Sequence, residues 1–330
     1  MNDTKRIALI GAGVIGKVHA ENMAMLGNPF SAICDIVKEK AIFLANKFSA
    51  DALIYTDYKQ MIDELSPEVV HICTPHYLHT EMIIYALSKN INVLCEKPLC
   101  IKKSDVPLIL DAEKRSSAIL GICHQNRYNP STVFAKEYLK DKTIAAAYGS
   151  VVWSRGKDYY ESAEWRGTTE QEGGGVLINQ ALHTLDLVQY FCGEPTEVTA
   201  STDNLSLKDV IEVEDTVSAT FDGPVPFTFF ATNSAHKDFP VEIKFKLSSG
   251  EIVSLFPNAV LAGGKYTEFP KKLLTVSGKA CYGSSHYYLF EDFYGCIKKG
   301  KHFEIDGAEG AKVVRLILSA YESKKEKTKI

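Results

Sequence analysis

Up to about residue 123 the chain alternates short, nearly continuous apolar runs with amphipathic stretches. The runs are RIALI, SAICD, VVHIC, NVLCE and AILGIC, and segments such as SDVPLILDAEKR lie between them. Continuous apolar strands separated by helices predict a parallel sheet covered on both faces, the doubly wound α/β class. After HQNRYNP the rhythm changes. From about residue 147 the runs GSVVWS, TEVTAS, EDTVSATF, VPFTFFAT, VEIKFKL and EIVSLF follow one another without crossover helices, which predicts an antiparallel sheet. One helix is expected over 174–191, and two more near 285–298 and 308–323. The tail KKEKTK reads as a solvated helix end. Two domains are expected, 1–124 of α/β type and 125–330 of α+β type.

Composition narrows the function classes. The 330 residues are 45% hydrophobic and 24% charged, as in a globular protein, and the formal net charge of -4 supplies no basic field for nucleic acid or an anionic membrane. No apolar stretch approaches the roughly 20 residues of a membrane helix, and MNDTKRIALIG runs into a strand without a signal-peptide core. A cytoplasmic location is expected. The cysteines at 34, 73, 95, 100, 123, 192, 281 and 296 form no CxxC pair, and several sit in apolar runs, so they read as reduced thiols.

In RIALIGAGVIGKVHAENM a strand leads through Gly11, Ala12, Gly13, Val14, Ile15 and Gly16 into a helix. The glycines allow a tight turn, close approach to a pyrophosphate and close helix packing, with helix amides facing the phosphates. Asp35 ends the second strand, where a carboxylate can bind the adenosine ribose hydroxyls. The competing reading is a glycine-rich turn with a surface aspartate. A negative charge at Asp35 opposes a 2′-phosphate, and Ile36 and Val37 offer no guanidinium, so NAD is expected over NADP; Lys38 weakens that preference.

Ligands on such sheets sit outside the carboxyl ends of the strands. Two further loops should therefore line the crevice: CTPHYLH, with Thr74, Pro75 and His79, and CEKPL, with Glu96 and Lys97. His76 and His79 have no third ligand at a recognisable spacing, so loop packing is favoured over a metal. In VLCEKPL a glutamate and a lysine end a core strand, though such side chains are seldom buried unpaired. Either Lys97 starts a surface turn that Pro98 bends, or it projects into a cleft where its charge is used.

A second unusual stretch is WRGTTEQEGGGVLINQALHTLDLVQYF, in which three glycines open the helix expected over 174–191. On that helix Asn179, His183 and Asp186 would share one face. The competing reading is a histidine satisfied inside a core.

GxGxxG at 11–16, EKP at 96–98, NRYNP at 126–130, WRG at 165–167 and GGGVLINQALHTLDL together resemble the Gfo/Idh/MocA oxidoreductase family, in the same order over nearly the whole chain. The resemblance implies an N-terminal Rossmann domain, a C-terminal domain with a large open antiparallel sheet, and NAD(P)-dependent oxidation or reduction of a sugar, inositol or sugar derivative. It places Lys97 at the family's active-site lysine, whose peptide to proline is often cis. It places His183 at the catalytic histidine, and Asn126, Trp165 and Arg166 among the cofactor contacts. The family pattern GGGxxxDxxxH has aspartate where this chain has Asn179, which can orient a ring but lends His183 no charge. Relatives with NQ here resemble sugar-nucleotide or modified-sugar dehydrogenases, which tilts the expected substrate away from plain inositol.

The expected chemistry follows from the hydroxyl proton, which must leave as hydride departs. Lys97 would polarise the reacting oxygen, His183 would take or return its proton, and Asn179 would orient the ring or a substrate hydroxyl. Lys97 can share the base role if burial lowers its pKa, and Glu96 opposes that if it pairs with the ammonium. Two rival readings stand on the same scaffold: a dinucleotide-binding sensor without turnover, and an NAD-dependent glycosidase. Tyr159, Tyr160, Arg155, Lys157 and His236 are candidate pocket residues, each equally compatible with the surface. The apolar alternation of VPFTFFAT suggests burial against another subunit, in a homodimer or homotetramer.

Overall fold

The computed structural model describes residues 6–269, 285–323 and 325–330. Cys281 lies outside the described residues; the other seven cysteines are reduced, and all but Cys296 are buried. No helix among the described residues is long and apolar enough to cross a membrane.

The chain divides into two compact units. The first carries six parallel strands, β1 (Ile7–Ile10), β2 (Ala32–Cys34), β3 (Leu53–Tyr55), β4 (Val69–Ile72), β5 (Asn92–Cys95) and β6 (Leu120–Ile122). Their order is β3-β2-β1-β4-β5-β6, all parallel, as the apolar runs predict. Between them run α1 (Val14–Met25), α2 (Lys38–Phe48), α3 (Tyr58–Leu65), α4 (His79–Ser88) and α5 (Asp105–Arg115). Asp57 caps α3 by accepting from the amides of Lys59 and Gln60.

The second unit is built on a nine-stranded sheet. Its elements are α6 (Pro130–Leu139), β7 (Ile144–Val152), α7 (Lys157–Tyr160), α8 (Leu182–Cys192), β8 (Glu197–Asp203), β9 (Thr216–Asp222), β10 (Phe227–Thr232), β11 (Glu242–Leu247), β12 (Ile252–Phe256), β13 (Ala259–Ala262) and β14 (Lys265–Glu268). After α9 (Ser285–Lys299) and α10 (Gly307–Ser323) the chain ends in β15 (Thr328–Lys329). The order is β14-β13-β12-β11-β7-β10-β9-β8-β15. The sheet is mixed rather than purely antiparallel, because β7 and β10 pair in parallel. One face packs on α8: a side chain at Gly149 of β7 would strike Val188 at 2.8 Å and Phe229 at 3.0 Å. The core beneath α8 includes Leu182, Leu185, Val188, Phe221, Phe229 and Phe245.

Three expectations are corrected. The helix expected over 174–191 begins only at Leu182: Gly174 takes φ +150°, which an α-helix does not contain, and after a turn in which the Asn179 and Gln180 amides reach back four residues the Ala181 amide reaches back five, to the Val176 carbonyl. Asn179 therefore precedes the helix, and Asn179, His183 and Asp186 do not form one helical face. The tail is a sheet edge rather than a helix end: β15 pairs with β8, and Lys327 pairs with Glu197 and Asp222. The chain does not divide once at residue 124, because the described stretch Ser285–Gly310 belongs to the first unit. There α9 packs on α1, the Ile122 amide donates to the Ile305 carbonyl, and a side chain at Gly121 would strike Phe293 and Phe303 at 2.8 and 3.0 Å. A parallel sheet needs both faces covered, and this late segment completes the cover.

Candidate active site

In the first unit the carboxyl ends of β1, β2, β4 and β5 bring the predicted loops to one edge. Gly11 has φ +95°, and a Cβ there would lie 2.5 Å from the Cys73 carbonyl oxygen; at Gly16 it would lie 2.0 Å from that of Gly11. Gly13 faces open space and starts α1 without a side-chain cap, which leaves first-turn amides for an anion. Val14 is exposed and Ile15 half-buried. Asp35 accepts from the Ala12 amide through Oδ2 and from the Val37 amide through Oδ1, both at 2.8 Å, so its carboxylate is tied to the glycine turn.

The loop after β4 is braced from inside. The Thr74 hydroxyl reaches Met82 Sδ, and Pro75 leads into a 3₁₀ turn over His76–Leu78. His79 is fully enclosed, its Nδ1 2.7 Å from the Pro98 carbonyl oxygen and its Nε2 3.1 Å from that of Thr74. Burial lowers its pKa, against the two carbonyls. The expectation that His79 touches cofactor is corrected: both ring nitrogens are enclosed against the Thr74 and Pro98 carbonyls, to one of which the neutral imidazole donates.

Lys97 is half-buried after β5, and the Lys97–Pro98 peptide is cis. Glu96 was expected to line the crevice, yet its carboxylate is turned into the core, 4% exposed. Its Oε1 lies 3.1 Å from His19 Nε2 and 3.2 Å from His286 Nε2, while Oε2 accepts from the Lys97 amide at 3.2 Å. Burial pushes the carboxyl pKa up, but the bonds from His19 and His286 outweigh it and hold it well below the usual range. No spacing rule links Glu96 to a histidine 190 residues later, so sequence reasoning missed this cluster.

In the second unit a network gathers on Tyr159. Its hydroxyl accepts from Arg166 Nη1, from Gln180 Nε2 at 2.9 Å and from Asn179 Nδ2 at 3.3 Å. The Arg166 guanidinium sits 4.4 Å from the Tyr159 ring and 4.8 Å from that of Trp165, with its Nε buried and without a hydrogen-bond partner among the described residues. Asn179 also donates to Oε1 of Glu172, whose Oε2 accepts from the Gly167 amide. Glu172 is fully buried. It was missed by sequence reasoning, although its place directly before GGG was the available signal. The carboxylate absent at Asn179 thus reappears one residue contact away.

His183 lies in the first turn of α8, 8% exposed. Asp186 is structural: Arg127 binds it through Nε at 2.9 Å and Nη2 at 2.6 Å. Asn126, beside it in sequence, has a buried Oδ1 without a hydrogen-bond partner among the described residues. The glycine turn before α8 is held by Glu214, which accepts from the Gly175 and Leu177 amides and the Tyr321 hydroxyl; burial raises its pKa to about 7. Of the other pocket candidates, Tyr160 accepts from Asn233, and Arg155 pairs with Asp238 at 2.8 Å. Lys157 pairs with Glu161, and His236 is exposed.

Residues 5–124 match the model of an oxidoreductase family with an NAD-binding Rossmann fold, and residues 135–253 match the GFO/IDH/MocA C-terminal domain. The chain is similar to myo-inositol 2-dehydrogenase of Thermotoga maritima, 26% identical over 198 residues that cover 58% of this chain and 56% of that enzyme. The match thus spans little more than half of that curated relative. Among solved structures, levoglucosan dehydrogenase in complex with NADH has a TM-score of 0.87 at 22% identity, covering 99% of each chain. The WlbA dehydrogenase of Bordetella pertussis, in complex with NADH and UDP-GlcNAcA, has a TM-score of 0.84 at 23% identity, also covering 99% of each. These two likenesses establish the fold.

Proposed function

As the chain belongs to the GFO/IDH/MocA family of NAD-binding oxidoreductases, we propose that it transfers hydride between NAD and a secondary alcohol or ketone of a sugar, inositol or sugar nucleotide. The observation that carries this reading is Lys97, half-buried at the edge that also bears the uncapped glycine turn, with its backbone held by Glu96. Gly11, Gly13, Val14, Ile15 and Gly16 cradle the pyrophosphate, Asp35 binds the ribose, and Thr74 and Pro75 line the crevice. The negative charge of Asp35 beside Ala12 favours NAD over NADP. The spare hydrogen-bonding atoms of Asn126 and Arg166 suit polar cofactor groups, and Trp165 supplies a flat apolar surface.

NAD held by these residues would supply the acceptor or donor of the hydride. Lys97 donates a hydrogen bond to the reacting oxygen and stabilises the charge that grows on it. His183 takes the hydroxyl proton on oxidation and gives it back on reduction. Asn179 orients His183 or a substrate hydroxyl, and Glu172 fixes the amide that does so. The names of the relatives, with inositol, levoglucosan and a UDP-sugar among them, support a sugar-like substrate. The same reading includes a homodimer or homotetramer formed through the outer sheet face, where Tyr148 and Ile252 are exposed beside Lys244 and Lys246. Sedimentation checks this: a monomer at micromolar concentration removes it.

The test is NADH formation against a panel of polyols, aldoses and sugar nucleotides. Lys97→Ala and His183→Ala should each lower turnover by about a hundredfold to ten-thousandfold. Near wild-type rates in both variants refute the assignment. Binding of NAD without turnover on any member points to the sensor, and sugar release without net NADH to the glycosidase.

A further inference from the structure

A chain of buried polar groups lies under Lys97, and nothing in the proposed chemistry uses it. Tyr294 Oη is 2.7 Å from His71 Nε2, His71 Nδ1 is 2.9 Å from His19 Nδ1, and His19 Nε2 is 3.1 Å from Glu96 Oε1. His286 Nε2 reaches the same oxygen at 3.2 Å. His19, His71 and His286 are all buried, and Phe290 packs edge-on against each of the three rings.

The polarity of this chain follows from Glu96. An ionised carboxylate only accepts, so His19 and His286 must each present Nε2–H to it. His19 Nδ1 is then a lone pair and accepts from His71 Nδ1–H. That leaves His71 Nε2 to accept the Tyr294 O–H. With every imidazole neutral, each hydrogen bond in the row has one donor and one acceptor. Two donors saturate Oε1, and Oε2 is left facing the amide of Lys97 at 3.2 Å. A buried carboxylate held from behind in this way cannot swing without stranding its charge, which is costly in a low-dielectric interior.

We infer that Glu96, His19 and His286 are positioning residues that set the backbone, and hence the ammonium, of Lys97 for hydride transfer. This rests on the role proposed above for Lys97. The anchor reaches Lys97 through its amide, and His286 ties it to α9, an element far along the chain from the predicted cofactor loops.

His286→Leu removes one donor, whereas His286→Gln keeps an N–H that can reach Oε1. His286→Leu should lower kcat about 10- to 100-fold, the scale of a small misplacement of a reacting group, with the Kd for NAD near wild type and a lower thermal midpoint, because it strips a donor from a buried carboxylate. His286→Gln should recover most of that loss. A second readout needs no substrate. In protein whose lysines carry ¹³C-methyl groups, the Lys97 resonance, assigned with Lys97→Arg, should shift in His286→Leu and return in His286→Gln. An unmoved resonance, or kcat within about twofold of wild type while Lys97→Ala is inactive, overturns the inference and leaves the function standing. If Lys97→Ala itself turns over normally, both fall. A kcat loss that follows NAD affinity in both His286 variants, or that persists in His286→Gln once its melting temperature has recovered, shows a merely structural histidine and also overturns it.

Discussion

The two units differ in what holds the side chains that the proposed function uses, although each also contains bonds of the other kind. In the first, side chains grip backbone: Asp35 holds the Ala12 amide, His79 the Thr74 and Pro98 carbonyls, and Glu96 the Lys97 amide. In the second, side chains grip one another: Arg166, Asn179 and Gln180 on Tyr159, Asn179 on Glu172, and Arg127 on Asp186. A backbone-gripping site has a shape that survives many changes of neighbouring side chains, as a common cofactor requires. A site made of side-chain pairs changes whenever one member changes, so under the proposed function substrate choice would be altered there without disturbing the glycine turn.

The largest effect that would break this contrast is expected at Asp186. Asp186→Ala takes a bidentate carboxylate from a guanidinium only 6% exposed, which should cost about 3–5 kcal/mol in urea unfolding. NAD affinity in the surviving folded fraction should stay unchanged; a matching loss of NAD binding would show the units to be coupled.

Next is Gly16→Ala, which drives a methyl to 2.0 Å from the Gly11 carbonyl oxygen. Calorimetry should show NAD binding weakened by about a hundredfold, roughly 2.8 kcal/mol. Retained affinity would mean that the glycine turn is not the phosphate cradle.

A smaller effect sharpens the contrast through pH. Burial raises Glu214 from the ordinary 4.5 to about 7, so the folded chain holds a proton that the unfolded chain has already lost between those values. Its contribution is therefore present below about 4.5 and is lost as pH rises to about 7, at up to about 1.4 kcal/mol per pH unit. Glu113 acts in the same direction. Buried His19, His71 and His79 have lowered pKa values and act in the opposite one. The melting temperature of Glu214→Gln minus that of wild type, followed from pH 5 to 7.5, isolates Glu214: the difference should grow with pH. The smallest effect is Asp57→Ala, a lost helix cap worth about 1 kcal/mol with turnover unchanged.

Much of the first unit was legible along the chain because parallel strands buried on both faces are unbroken apolar runs, and because a glycine turn declares its own geometry. Lys97, Gly11 and Asp35 sit where that reading put them on the sheet edge. What failed was whatever depends on distant partners or on backbone sign. The helix starts after Asn179, past a turn in which the Ala181 amide reaches back five residues to the Val176 carbonyl, though the apolar period continues through it. The orientation of Glu96 is decided by His286, which no local pattern predicts. The bond from Asn179 to Glu172 needs the turn to fold first. The two-residue strand β15 carries no apolar alternation at all.

The hydrogen bond from Ile122 to Ile305, with Phe293 and Phe303 seated over Gly121, has a consequence at the ribosome. The contacts of the first unit are complete only when the late segment has emerged, and that segment follows the whole second sheet except its last strand. At roughly 5–20 residues per second that delay is on the order of ten seconds or more. During it the edge at β6 lacks the backbone partner that Ile305 supplies and the aromatic cover of Phe293 and Phe303.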